Sequence, residues 1–500
     1  MNSGLTKNGE SLVPSAYVCD GIFLTNHKGK SFDIQNIVTE FSIKESLYNP
    51  FLTCSFSVRD AVNFLEFHEI IGQEVVVIKL SKTDPRQTKE ISLKFFITEY
   101  PLYAKSEKQD SFAVFTFKGI SRHAYLSQLK KVSKSFNGNV VDNVCKLLEE
   151  KELGLDFPKK NIICDSSECV TTMKYVIPFS QPLIAISRLL NVAVDAQGSP
   201  FYMYQTLKGD IHIKSLANLL DETKNPPYGN PYVKTTNFKA EPNTIEDYSE
   251  RMQRILKINS DLKLNTIGKM RKGTYASENN FLDISSKQYK TIEYDYLKDY
   301  AKDKPSNINP EWKINEKSLN EYSQSYSTYI STNDLAFSES PEGNISEQKQ
   351  LFDRLKRSQQ NLLDTQTHTI VLNGDFDLIS GRLIEILIPK SIANQNQSKL
   401  LDVSEIEVID EAMSGKYLVT GVTHLFKQGQ MISNLKFKKI KLNIINSTKY
   451  IDQKLKNKLQ IYLNRSRYII NYELSNKKVN FDSINHLLET INLFFLEIYF

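Results

Sequence analysis

The sequence predicts an α+β protein that is mostly β, with two similar antiparallel β-barrel units, an inserted α/β domain and a helical C-terminal extension. Residues 34–120 contain runs in which β-branched or aromatic residues alternate with polar ones, and a shorter set of such runs returns at 367–440. This alternation is typical of strands with one buried face. Because unlike sequence separates the two sets, they predict a duplicated barrel or sandwich. The alternative is that two unrelated antiparallel units give similar patterns.

The strands of the two units are expected in the same order. The first unit has runs at 72–80, 94–100 and 111–120, and the second has corresponding runs at 381–388, 416–422 and 431–440. The predicted domains follow from these runs and from changes in composition. They are a flexible tail at 1–14, a first barrel at 15–120, an inserted α/β domain at 121–225, a connector with a long polar excursion and a helix at 226–364, a second barrel at 365–443 and the helical extension at 444–500.

The first unit also predicts a long hairpin. Residues 34–44 and 51–59 read as its strands, and the Asn49-Pro50 pair favours a turn between them. Asp60 is a candidate cap for a short helix that follows.

Apolar spacing predicts a helix at 140–153 in the inserted domain, and a second helix that begins with a capping Ser180 and Pro182. A hairpin at 200–206 and 210–214 follows. Residues 298–344, rich in Ser, Asn, Lys and Tyr, predict a long excursion or partial disorder. Asn344, with Glu347 three residues later, predicts the start of a helix that leads into the second unit.

Composition excludes several classes. A chain of 500 residues is too long for one core, and a net charge of +5 gives no case for nucleic-acid binding.

Residues 1–10 are polar and no apolar run reaches the ~20 residues that cross a bilayer, so we expect a soluble protein made in a cytoplasm, without membrane insertion. An odd number of cysteines without paired spacing favours free thiols in a reducing compartment, and structural zinc is not expected. They are Cys19, Cys54, Cys145, Cys164 and Cys169.

The sequence offers no catalytic, cofactor or metal residues. His68 and Glu69 begin like a zinc-protease motif, but Gly72 stands where the second histidine is needed. Gly119, Ser121 and His123 resemble a nucleophile elbow that lacks its second glycine.

Two further groups of residues are interpreted as structural. Acid pairs such as Asp375 and Asp377 are expected to be solvated loop residues. His212 and His424 fall in predicted strands and are expected to be strand residues rather than ligands.

The order of parts resembles the baseplate hub proteins of contractile-tailed bacteriophages, whose relatives form the hub portion of type VI secretion spikes. The early match is residues 41–48, a strand that ends in a Ser-Leu-Tyr turn, followed by a second strand through Asp60. The late match is residues 374–386 and 417–424. The Pro182 helix and the hairpin after Phe201 lie where that family has its inserted domain.

The resemblance implies a homotrimer in the virion tail baseplate, assembled in the host cytoplasm. Two tail-tube-like barrels per chain would give a pseudo-sixfold ring. That ring would join a hexameric tail tube protein to a trimeric tail spike or lysozyme protein, beside neighbouring baseplate proteins. It implies no cofactor, and no nucleic-acid binding beyond passage through the channel.

Polar strand residues are the candidates for the channel wall: Lys79, Glu99, Glu385 and Lys436. Two alternatives stay open, a tail-associated cell-wall hydrolase and a receptor-binding tail protein. The single Trp argues mildly against the second, because sugar-binding surfaces favour Trp and Tyr platforms.

Overall fold

A computed structural model describes the chain in thirteen stretches, and the following description is confined to them. They are residues 15–61, 63–82, 90–105, 112–234, 252–262, 265–283, 287–299, 313–332, 345–363, 366–388, 410, 413–427 and 429–441. The predicted tail at 1–14, the predicted extension at 444–500 and the Asn344 cap lie outside the described residues.

The N-terminal stretch is built almost entirely of strands, as alternating apolar residues predict. Its elements are β1 (Val18–Thr25), β2 (Ser31–Asp33), β3 (Val38–Ser46), β4 (Asn49–Asp60), α1 (Phe64–Phe67), β5 (Val75–Ser81), β6 (Glu90–Lys105) and β7 (Ala113–Ser121). The predicted hairpin is β3–β4. Asn63, rather than the predicted Asp60, occupies the cap position of α1, while Asp60 accepts a hydrogen bond from the Phe64 backbone N–H at 2.9 Å.

An inserted unit of mixed structure follows at 122–220, with its own apolar core. Its helices and strands are α2 (Arg122–Leu129), β8 (Val132–Phe136), α3 (Val140–Glu149), β9 (Ile162–Cys164), β10 (Tyr175–Ser180), α4 (Pro182–Val192), β11 (Phe201–Gln205), β12 (Ile211–Ser215) and α5 (Leu216–Leu220). The Asn139 side chain caps α3 by accepting the Val141 N–H at 2.9 Å. The Ser180 cap was wrong: Gln181 occupies the cap position, and the Leu183 N–H donates instead to the Ser127 hydroxyl at 3.0 Å.

The segment predicted as a connector contains more structure than its polar sequence indicates. Its elements are β13 (Tyr232–Val233), β14 (Ile255–Leu262), α6 (Thr266–Arg271), β15 (Ala276–Asp283), β16 (Gln288–Asp295), α7 (Tyr296–Asp299), β17 (Lys313–Ile314), β18 (Lys317–Ser318), β19 (Ser327–Thr332) and α8 (Ile345–Leu363). β15 pairs with β16 and with β19. The polar excursion is therefore ordered at 313–332. The sequence does not predict this sheet, because its strand β15 buries Asn279 and Asn280 at positions where apolar residues are usual. The side-chain amides of both asparagines are hydrogen-bonded.

The C-terminal described strands are β20 (Gln366–Asn373), β21 (Leu383–Leu387), β22 (Gly415–Lys427) and β23 (Gln430–Lys441). They join the N-terminal strands in one 13-stranded sheet.

The same strand order occurs twice in this sheet. We call β3–β7 the first β unit, with spatial order β3-β4-β7-β6-β5, and β14 with β20–β23 the second β unit, with spatial order β14-β20-β23-β22-β21. Every pairing inside both units is antiparallel. Numbering each unit's strands one to five along the chain gives the order 1-2-5-4-3 in both. The first strand of the second unit, β14, lies in the predicted connector, before the expected start of that unit.

Each unit curls around its own apolar core. Ile22 of β1 and Phe41 of β3 belong to one core although four strands separate β1 from β3 in the sheet. The second core contains Tyr232 of β13 together with residues of all five strands. The sheet is therefore strongly curved rather than flat. Among the described strands, no continuous ladder of hydrogen bonds closes either unit into a barrel.

Candidate functional site: the junction between the β units

The two β units are joined by strand pairing. The C-terminal half of β22, Gly421 to Lys427, pairs antiparallel with β3 over seven residue pairs, while its N-terminal half pairs with β21. Two further bonds extend this contact around the β3–β4 turn: the Leu47 N–H donates to the Thr420 carbonyl at 2.9 Å, and Lys438 Nζ donates to the Tyr48 hydroxyl at 2.6 Å. Strand β22 of the β22–β23 hairpin is therefore hydrogen-bonded to strands of both units.

The end of this hairpin is buried in the core of the first β unit. Phe426 is 0% exposed and stacks on Phe41 with ring centroids 4.4 Å apart and planes 10° apart. Tyr17 meets Phe426 edge-on at 5.0 Å, and Phe376 lies 6.4 Å away. Farther back on the same strand, Tyr417 and Val419 belong to the second core. A single strand thus contributes large side chains to both cores.

A buried carboxylate connects three parts of the chain. Glu45, near the end of β3, is 2% exposed. One of its oxygens accepts the Leu207 N–H of the inserted unit at 2.7 Å, and the other accepts the Ser380 N–H of the second β unit. Burial raises the pKa of Glu45 to about 7, although the two N–H donors and the Arg382 charge act in the opposite direction.

The loop between β20 and β21 is held by polar contacts. Asp375 accepts the Tyr228 hydroxyl at 2.8 Å and the Asp377 N–H at 2.8 Å, and Asp377 forms an ion pair with Lys208 of the inserted unit at 2.5 Å. Asp375 is 6% exposed, and burial raises its pKa. The expected solvation of this acid pair was wrong, because both carboxylates fix the loop that carries Ser380.

Gly381 completes this loop at a left-handed φ of +83°. A Cβ at this position would lie 2.2 Å from the Tyr204 hydroxyl, so only glycine allows Tyr204 of β11 to approach the loop. The Gly381 N–H also donates to the Val419 carbonyl at 2.8 Å.

Both histidines lie in strands, as predicted. His212 of β12 stacks on Tyr204 at 5.3 Å, and His424 of β22 contacts the Ser433 hydroxyl at 2.9 Å. His424 is fully buried, and burial together with the Lys82 charge lowers its pKa to about 3. It is therefore neutral across the physiological range.

The histidines of both near-miss catalytic motifs pack against aromatic rings. His68 lies after the end of α1, and its ring packs 3.9 Å from Phe32, so it does not share a helix face with Glu69. His123 packs between Phe51 and Phe157, where burial lowers its pKa to about 4. In the described ranges, no three His, Cys, Asp or Glu side chains meet as metal ligands would. Among the described helices, none is both long and apolar enough to cross a bilayer.

The channel candidates lie on strands of both units. Lys79, Glu99 and Lys436 are exposed, and Glu385 is half-buried opposite Lys416. Glu99 pairs with Lys118 at 2.8 Å. None of the four lies in a dry core, and which of them faces a channel stays a prediction.

Sequence reasoning missed Glu45 as a central residue. The available signal was its position: Phe41, Ile43 and Glu45 are alternate residues of one strand, so they point to the same side. A carboxylate on an inward-facing position predicts buried hydrogen-bond partners.

Comparison with known proteins gave matches among solved structures. No family model matches the chain, and no curated protein matches it. A 43 kDa tail protein of prophage MuSo2 from Shewanella oneidensis is 10% identical, with a TM-score of 0.47 over 84% of this chain and 98% of that one. A tail protein from Neisseria meningitidis MC58 is 12% identical, with a TM-score of 0.44 over 85% and 97%.

The E. coli c3393 protein, described as a type VI secretion component similar to T4 tail proteins gp27 and gp5, is 10% identical, with a TM-score of 0.38 over 84% and 76%. These neighbours are thus phage tail proteins and a type VI relative. Identities near one tenth and TM-scores below 0.5 do not assign a function.

Proposed function

We propose that this chain is a structural subunit of the baseplate hub of a contractile phage tail. Three copies form a ring that joins a hexameric tail tube to a trimeric cell-puncturing spike, in contact with neighbouring baseplate proteins. The subunit is assembled in the host cytoplasm, resides in the virion tail, and acts through its interfaces without catalysis.

The observation that carries this proposal is the repeated strand order. Two β units of the same order, 1-2-5-4-3, occur in one chain. Three chains would supply six similar units, two from each, so a threefold ring would present near-sixfold symmetry on one side. A protein that links a hexamer to a trimer needs this duplication, and a cell-wall hydrolase or a receptor-binding protein does not.

The junction supports the same proposal. Pseudo-sixfold symmetry requires a fixed angle between the two units of each chain. Seven residue pairs, a shared aromatic cluster and the Glu45 hydrogen bonds resist rotation at the junction. A flexible linker between the units would not hold this angle.

A single bridge supports barrel closure in the second unit. Val233, at the end of β13, forms an isolated bridge with Arg254, immediately before β14. Since β13 also pairs with β21 at the opposite edge of the unit, this bridge brings the two edges together. We propose that both units are tail-tube-like barrels in the assembled ring.

Light scattering on the purified chain, alone and with its candidate spike partner, tests the proposal. We expect three times the chain mass in at least one sample, and a ring with six similar lobes in class averages from electron microscopy. A monomer in both samples would contradict the hub. Clearing of peptidoglycan in a zymogram would assign the chain to the hydrolases instead.

A further inference from the structure

Two thiols of the inserted unit lie within reach of each other. Cys145 is on α3 and Cys164 ends β9, and their Sγ atoms are 3.0 Å apart. Both side chains are half-buried. The spacing of the five cysteines gives no indication of this pair, because the fold of 121–225 brings the two residues together.

We infer that Cys145 and Cys164 form a modification site, an intramolecular disulfide that closes when the protein meets a disulfide oxidant. The inference does not depend on the proposed hub function. The thiolate of Cys164 attacks one sulfur of a small disulfide and expels a thiolate, which takes up a proton. Cys145 then loses its proton, attacks Cys164 Sγ and expels the second thiolate. One protein dithiol and one glutathione disulfide become one protein disulfide and two glutathione thiols.

The surroundings of the pair favour this order of attack. The Cys145 thiol and the Ser166 hydroxyl and N–H donate to Cys164, and these hydrogen bonds lower the Cys164 pKa. Donation to Cys164 and burial raise the pKa of Cys145, and the nearby Asp142 and Glu149 charges act in the same direction. Cys164 is therefore the better nucleophile and Cys145 the resolving thiol.

The disulfide would link α3 covalently to the three-stranded sheet β11-β12-β9 of the inserted unit. Cys164 of β9 is opposite Ile213 of β12, which pairs with β11. β11 carries Tyr204, which contacts the Gly381 loop at the junction. Closing a loop across a separation of 19 residues lowers the population of the locally opened inserted unit by roughly a hundredfold.

The test incubates the full chain at graded ratios of reduced to oxidised glutathione, followed by acid quenching, alkylation and peptide mapping. Digestion needs both trypsin and a Glu-specific protease, since cleavage after Glu168 separates Cys164 from Cys169. We expect the peptide with Cys145 linked to the peptide with Cys164, while Cys19, Cys54 and Cys169 are alkylated. Alkylation of both Cys145 and Cys164 at every ratio, or a link to Cys169 instead, would overturn the inference.

A second readout follows the alkylation rate of Cys169, which is buried in the same core. Oxidation should slow it by roughly a hundredfold in the wild type and in Cys19→Ser, a control that removes a half-buried thiol outside the inserted unit. Cys164→Ser should show no slowing. Equal slowing in Cys164→Ser would mean that the oxidant acts elsewhere, and would reject the site.

Discussion

Replacing Glu45 with glutamine tests the buried carboxylate at the junction. Burial raises the pKa of Glu45 from 4.5 to about 7, so between these values the folded protein binds a proton at Glu45 that the unfolded protein has released. The stability from this group is therefore fully present below about pH 4.5 and is lost as the pH rises to about 7. A shift of this size corresponds to roughly 3 kcal/mol.

The assay is urea unfolding of wild type and Glu45→Gln between pH 4.5 and 8. The difference in unfolding free energy between the two proteins removes the contribution of every other titrating group. We expect the wild type to lose roughly 3 kcal/mol relative to Glu45→Gln across this range. Superimposed on this, the glutamine leaves one backbone N–H, of Leu207 or Ser380, without an acceptor, which costs about 1–3 kcal/mol at every pH.

Glu40→Gln is the matched control, since Glu40 lies on the same strand in a partly exposed ion pair with Lys427. It should cost less than about 1 kcal/mol at pH 7. A difference between wild type and Glu45→Gln that stays constant within about 0.5 kcal/mol across the range would refute the reasoning, because the carboxyl would then titrate alike in both states.

Two other substitutions test the junction. Phe426→Ala should destabilise the protein by about 3–5 kcal/mol in denaturant unfolding, because it empties a fully buried site against three aromatic rings; Phe67→Ala, at an 81% exposed ring, should cost less than about 0.5 kcal/mol. A Phe426→Ala cost below about 1 kcal/mol would contradict this packing. Gly381→Ala should cost about 2–4 kcal/mol from the left-handed φ and the Tyr204 clash, measured in the same way. Gly429→Ala has a similar φ of +76° with open space, so equal costs for the two would show that Tyr204 does not constrain the loop.

The sequence predicts elements well where burial follows a simple period. The β3–β4 hairpin, α3, α4 and the β11–β12 hairpin are confirmed, and the sequence predicts them because most of their inward positions are apolar. β14, β15 and β16 were missed because their sequences lack that period. β15 instead buries Asn279 and Asn280, which are stabilised by hydrogen bonds from other strands that no local pattern reveals.

The candidate site was harder to predict because it depends on distant contacts. Glu45 meets Leu207 and Ser380 across separations of 162 and 335 residues. Similarly, the α4 cap was misassigned because the hydroxyl that accepts the Leu183 N–H belongs to Ser127, on another helix. The alternation along β3 does predict that Glu45 faces inward, but it does not predict which residues form hydrogen bonds with it.

The pairing of β22 with β3 also has a consequence for synthesis on the ribosome. Ser46 and Thr420 are 374 residues apart, so at about 5–20 residues per second the β3 edge waits roughly 20 to 75 seconds for its partner. During that time it is an open edge that can pair with other strands. A chain truncated before Gly421 keeps this edge permanently, so such fragments should aggregate through β3 even though strands β1–β7 are all present.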